Sequence, residues 1–182
     1  RRRFGTAPDP AHIVVQRPIK AATPDVQFLA PTRPLREIMP ATDHVEVKLM
    51  ARLIRSHKWA MPEHELLALG AIVAAVQPRR VFEFGTFMGG STLVLAANSP
   101  ENASLTTLDI GPLPIYSVRY TPGSLCHDTR YAPRIKQLIG DSLKFDAAPY
   151  HGSMDLVFVD ANHRDAYAKN DTQLAFQMLR PG

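Results

Sequence analysis

The sequence has 182 residues and one cysteine, Cys126. An intrachain disulfide is therefore excluded, and the chain suits a reducing compartment, so a cytoplasmic location is expected. Long apolar runs are also missing. The longest, Leu66 to Val76, has eleven residues interrupted by Gly70, too few to cross a bilayer, so no membrane partner is expected. Arg1-Arg2-Arg3 has the charge of a secretory leader, yet no apolar segment follows and Pro8 and Pro10 arrive at once. Most of the chain has no excess of either charge. The net +4 resides in residues 1 to 40, with seven Lys/Arg against three Asp/Glu, while residues 41 to 182 hold fourteen of each. That balance gives no sign of a nucleic-acid-binding face. No initiator methionine opens the chain, and we expect the sequence to begin inside a longer product.

A composition that is 45% hydrophobic and 21% charged supports one ordinary core and not two. Residues 1–41 carry prolines at 8, 10, 18, 24, 31, 34 and 40, each removing an amide donor and fixing φ. They read as a basic extended arm, either a clamp over a partner or a leader lying on the surface. Residues 42–182 form the domain proper. In it, Asp43-x-x-Glu46 has capping-box spacing, and Val45, Leu49 and Leu53 repeat every fourth residue, which predicts a helix from Asp43 to about Ser56. A second helix opens at Pro62, carries Glu63 and Glu65 toward its positive end, buries Leu66, Leu69, Val73 and Val76, and stops at Pro78. These N-terminal helices occupy 43–77. A core over 79–182 follows, with strand 81–85, helix 90–98, strand 104–109, strand 135–139, strand 154–160 and helix 164–179.

Such alternation predicts an α/β fold with a doubly wound, mainly parallel sheet whose strand C-termini line one ligand-binding edge. Residues 111–133, with prolines at 112, 114, 122 and 133, read as a long loop at that edge, either a substrate lid or a variable connection. The edge of strand 154–160, rich in Val and Phe, would be left open after the fourth strand. We expect the chain to be a fragment, or the edge to be covered by another segment, a homo-oligomer contact or a partner chain.

Within this frame the segment Val81-Phe82-Glu83-Phe84-Gly85-Thr86-Phe87-Met88-Gly89-Gly90-Ser91-Thr92 runs from an apolar strand through a glycine turn into a helix start. Glycines allow close backbone approach, and the helix start offers unpaired N–H groups. The spacing is Gly-x-x-x-Gly-Gly and not Gly-x-Gly-x-x-Gly, so an NAD(P) oxidoreductase fits poorly. Further along come Thr106-Thr107-Leu108-Asp109, Leu138-Ile139-Gly140-Asp141-Ser142 and Met154-Asp155-Leu156-Val157-Phe158-Val159-Asp160, then Ala161-Asn162-His163 and Asn170-Asp171.

In this order the segments resemble the class I S-adenosylmethionine-dependent methyltransferases, nearest the metal-dependent small-molecule O-methyltransferase branch, over roughly residues 61 to 182. The resemblance implies a Rossmann-like fold, cut short after the fourth strand and its helix, and methyl transfer to a hydroxyl of a small molecule or sugar. Gly85 and Gly89 would make room for the cofactor, with Thr86, Phe87 and Ser91 lining the same end. Glu83 would hold the turn or contact the methionine part, or only tie down loop amides. Asp109, 24 residues after Gly85, would accept bonds from the ribose hydroxyls. Asp141 and Ser142 would meet the adenine, cap a helix, or do both. The resemblance further implies that Asp160 binds a divalent cation such as Mg²⁺ and that His163 is the general base; the competing role for His163 is backbone capping. A protein that keeps the fold but has lost turnover, acting by binding alone, is the other reading.

Overall fold

The computed structural model describes residues 33–54, 60–111 and 120–181. Residues 33–182 form one compact unit. The arm expected over 1–41 lies, up to residue 32, outside the described residues. Its last part contains a one-turn helix, α1 (Leu35–Ile38), which is followed by a 3₁₀ turn over Pro40–His44.

Four strands make the sheet: β1 (Arg80–Phe84), β2 (Ser104–Asp109), β3 (Ile135–Ile139) and β4 (Leu156–Val159). Their order is β3-β2-β1-β4, and every pairing is parallel. β1 is central, and Val81 to Phe84 are all buried, as a parallel strand covered on both faces must be. Period-two alternation sends its side chains to two cores. Val81 and Glu83 align with Leu105 and Thr107 of β2 and with Leu156 and Phe158 of β4. On that face the core contains Leu66, Leu69 and Val73 of α2 (Glu63–Val76) and Leu93 of α3 (Gly90–Asn98). Phe82, Phe84 and Leu108 pack on the opposite face against Ala175 and Met178 of α4 (Asp165–Met178). Phe82 also stacks on Tyr150, with ring centroids 5.0 Å apart.

The start and stop signals of α2 act as their chemistry dictates. Pro62 sits at the N-cap, and Gln77 closes the helix in the left-handed region at φ 52° before Pro78. The helix expected over 43–56 does not form among the described residues. Asp43 and His44 end the 3₁₀ turn Pro40–His44, residues 45–50 have no regular secondary structure, and Ala51–Leu53 make a second 3₁₀ turn. Tertiary bonds take the backbone groups a helix would use. Lys48 N donates to Asn98 Oδ1 at 2.8 Å, and Asn98 Nδ2 returns a bond to Lys48 O at 3.0 Å. Val47 fills the space above Gly70, where a Cβ would lie 2.5 Å from Val47 Cγ1. Leu53 is still buried, so the apolar repeat reports a buried strap and not a helical face.

β4 is shorter than the expected 154–160. Met154 instead makes an isolated parallel bridge with Leu179, and the Asp155 carboxylate accepts from Arg79 N and Arg80 N, 2.7 and 3.1 Å away. Arg180 Nε lies 3.0 Å from the other Asp155 oxygen, closing an ion pair between the end of α4 and the start of β4. Among the described residues, the side of β4 away from β1 carries no further strand.

Candidate functional site

The glycine turn joins β1 to α3 at the C-terminal edge of the sheet. Gly85 adopts φ 96° and Gly89 φ 93°, backbone that side-chain-bearing residues rarely reach. A Cβ on Gly85 would also collide with the carbonyl oxygen of Asp160, and one on Gly89 would lie 2.6 Å from Cys126 Sγ. These glycines are therefore required by close approach of the protein to itself. Phe87 sits at φ 45° without that freedom. Its conformation is held by Asp109, whose Oδ2 accepts from Thr86 N at 2.9 Å and Phe87 N at 2.7 Å, while Oδ1 accepts from Gly111 N at 2.6 Å. The expected ribose acid thus clamps the turn with three backbone amides and keeps acceptor capacity on Oδ1 alone.

Beneath the turn lies Glu83, with no exposed surface. Ser91 Oγ donates to Oε1 and Thr92 Oγ1 to Oε2, each at 2.5 Å, and the Thr107 hydroxyl also bonds the carboxylate. Burial pushes Glu83 up to about 7, against the pull of these three hydroxyls, and the negative charge of Asp160 adds to the rise. Thr86 turns its hydroxyl inward, 2.6 Å from Thr107 Oγ1, and is itself buried. Ser91 and Thr86, expected to line the ligand space, therefore spend their hydroxyls on this interior network.

Within residues 120–133, described along with Gly111 from the expected lid, the chain docks on the turn. Gly123 N donates to Phe87 O at 2.8 Å and Leu125 N to Met88 O at 2.9 Å, while the Phe87 and Tyr120 rings stack with centroids 4.6 Å apart. Cys126 is wedged behind Gly89, its Sγ 3.5 Å from Gly89 O, and burial drives its thiol up to about 12, so it is no thiolate nucleophile.

Two other expected groups stand on the same edge. Asp160, just past β4, lies against Gly85; burial raises its carboxyl, His163 opposes the rise and Glu65 adds to it. His163 Nε2 is 3.7 Å from Asp160 Oδ1, and the imidazole is 87% exposed. Asp141 and Ser142 follow β3. Asp141 caps a 3₁₀ turn, Ser142–Lys144, by accepting from Leu143 N at 3.1 Å, and also bonds Tyr167 of α4, while Ser142 O accepts from Asn170 Nδ2 at 3.0 Å. Asp141 thus takes the capping role, while Ser142 ties the turn to α4 through its carbonyl. One carboxylate and one imidazole do not make a cation shell, and no group of three His, Cys, Asp or Glu among the described residues could hold a metal ion. The residues described thus do not fit a Mg²⁺ site.

Several participants were not singled out in the sequence. Thr107 and Thr92 meet Glu83 through strand register and helix phase, which only pairing reveals. Ile110, Ile139 and Leu143 leave apolar surface exposed near the ends of β2 and β3, a surface suited to a planar base. Their apolar character in a stretch that has to end strands was the only available signal.

Three comparisons bear on this geometry. Residues 82–182 match a family model described as a methyltransferase domain. A catechol O-methyltransferase from Mycobacterium tuberculosis is 30% identical over 111 residues, which are 61% of this chain and 48% of that protein. The solved structure of cofactor-bound Rv0187 from MTB is 26% identical with a TM-score of 0.52, covering 85% of this chain and 65% of that one. The O-methyltransferase TomG from Streptomyces achromogenes, involved in tomaymycin synthesis and solved in complex with SAM, is 24% identical with a TM-score of 0.58, covering 75% and 64%. This chain thus spans about half the length of the curated relative and somewhat under two thirds of these two solved ones. The family model covers more than half of the chain and coincides with the glycine turn, the acid that ends β2 and the parallel sheet: the chain belongs to the methyltransferase-domain family, with the fold of class I S-adenosylmethionine-dependent methyltransferases.

Proposed function

We propose that this chain is the cofactor-binding part of an S-adenosylmethionine-dependent O-methyltransferase that acts on a hydroxyl of a small molecule. The observation that carries the reading is the clamp of Asp109 on the amides of Thr86 and Phe87, because it gathers the glycine turn and the β2 acid into one rigid cradle at the strand C-termini. The similar proteins, a catechol O-methyltransferase and an O-methyltransferase solved with SAM, support this class of donor and acceptor.

S-adenosylmethionine, when bound, supplies a sulfonium whose methyl is transferred by in-line displacement, so the protein's main task is to orient the partners. Gly85 and Gly89 hold the turn open. Asp109 keeps one oxygen able to accept a ribose hydroxyl, and Ile110 and Ile139 offer apolar surface for the adenine. Phe87 and Tyr120 form an aromatic wall beside the turn. His163 takes the proton of the acceptor hydroxyl, and Asp160, 3.7 Å away, stabilises the imidazolium that results. The proton step is assigned to these two side chains. Glu83, Ser91, Asp141 and Ser142 shape the cradle from within. No helix among the described residues is long and apolar enough to cross a membrane, and with a single buried cysteine we assign the protein to the cytoplasm. A further segment or a second subunit covers the free side of β4.

Isothermal titration of the chain with S-adenosylhomocysteine, and separately with NAD, tests the reading. Binding of the first alone is expected. Binding of NAD alone overturns it. A methyl-release assay with and without added Mg²⁺ then separates an enzyme from a fold that only binds.

A further inference from the structure

Thr107 lies in the middle of β2, fully buried, in register with Glu83 on the same face of the sheet. Asp109 follows two residues later on that face. The Thr107 hydroxyl touches two partners: the Glu83 carboxylate and, at 2.6 Å, Thr86 Oγ1. A hydroxyl has a single proton. Either hydroxyl of the Thr86–Thr107 pair can be the donor, so Thr107 joins the Thr86 side chain to the buried carboxylate network. Thr86 in turn carries the amide that Asp109 Oδ2 accepts, and its carbonyl accepts from Gly89 N at 2.7 Å. The glycine turn is thus held from two sides by the same strand: Asp109 takes its backbone, and Thr107 takes its side chain.

We propose that Thr107 is a positioning residue for the cofactor, acting through the Thr86 hydroxyl to hold the glycine turn in the conformation that binds the ligand. Thr86 then contributes through this inward bridge and not by side-chain contact with the ligand, in keeping with its burial. The pair is specific in shape as well as polarity. Both residues are β-branched, so valine at either position keeps volume and rotamer preference and removes only the hydroxyl. In Thr107→Val the buried Thr86 hydroxyl loses its hydrogen-bond partner, and an unpaired buried hydroxyl is relieved by moving the turn.

The inference rests on the functional reading above, and the experiment separates the two. Affinity for S-adenosylhomocysteine is measured by titration calorimetry for the full chain and for Thr107→Val, Thr107→Ser, Thr86→Val and the Thr86→Val/Thr107→Val double variant, with folding followed by circular dichroism. We expect Thr107→Val to bind about tenfold more weakly, as loss of one buried hydrogen bond implies. Thr107→Ser restores the affinity, and the double variant binds no worse than the weaker single one, because one bridge can be lost only once. Unchanged affinity in Thr107→Val, an equal loss in Thr107→Ser, or a double variant that sums the two losses overturns the bridge. If Thr107→Val does not fold, Thr86→Val alone decides: wild-type affinity there overturns the proposal. A wild-type chain that fails to bind S-adenosylhomocysteine overturns the functional reading and this inference with it.

Discussion

Replacing Glu83 by glutamine should change how stability depends on pH more than it changes stability itself. Glu83 is fully buried and pushed up to about 7, from an ordinary value of 4.5. A carboxyl raised in the folded state binds its proton more tightly folded than unfolded. Its contribution is therefore complete below the unfolded value and is lost as pH rises through the folded one. The gap corresponds to about 3 kcal/mol lost between roughly pH 4.5 and 7. Asp160 shifts in the same direction for the same first reason, burial, and adds to the slope. In Glu83→Gln the amide cannot titrate, and the Ser91 and Thr92 hydroxyls can rotate so that one accepts from it. Urea unfolding at pH 5 and pH 8 provides the assay. With a slope near 2 kcal/mol per molar, the wild-type midpoint should fall about 1.5 M further than that of the variant. Equal losses in wild type and variant would refute the assignment of Glu83 as the buried titrating group.

The other expectations concern the strap, the clamp and the base. Asn98→Ala removes both bonds to the Lys48 backbone and should cost about 2 kcal/mol, with amide exchange at Lys48 rising above the global rate; a melting temperature and exchange pattern like the wild type's would contradict the strap. Asp109→Ala frees the Thr86, Phe87 and Gly111 amides at once, so it should weaken S-adenosylhomocysteine binding by about 1 to 3 kcal/mol and lower thermal stability. A loss of stability without a loss of affinity would make Asp109 a purely structural clamp. His163→Ala, in a version of the protein that turns over, should lower kcat about a hundredfold and spare cofactor affinity, because a side chain 87% exposed supports no packing. Turnover equal to wild type would leave the proton to another group.

Much of the fold could be read from local signals. Pro62 and Pro78 bounded α2, short apolar stretches marked β1 and β4, and the glycine turn led directly into α3 at residue 90. Those signals are short-range, so they survive in a one-dimensional reading. The misreading at 45–53 has the same origin. A repeat of Val45, Leu49 and Leu53 reports burial, and burial is shared by a helix and by a strap whose amides are taken by Asn98, some fifty residues away in sequence. The site divides in a similar way. The acids and glycines were identifiable by position, whereas the partner each one chose was not.

Composition and order alone determined the parallel α/β class, the turn after the first strand, and the acids that end the second and fourth. Tertiary structure decided the rest: that Asp109 grips the turn, that Thr86 faces inward toward Thr107, that Glu83 is sealed among hydroxyls, and that Cys126 is a wedge. Hydrogen bonds between strands depend on register, and register is set by the packing of whole faces, so these partnerships exist only once the sheet has assembled.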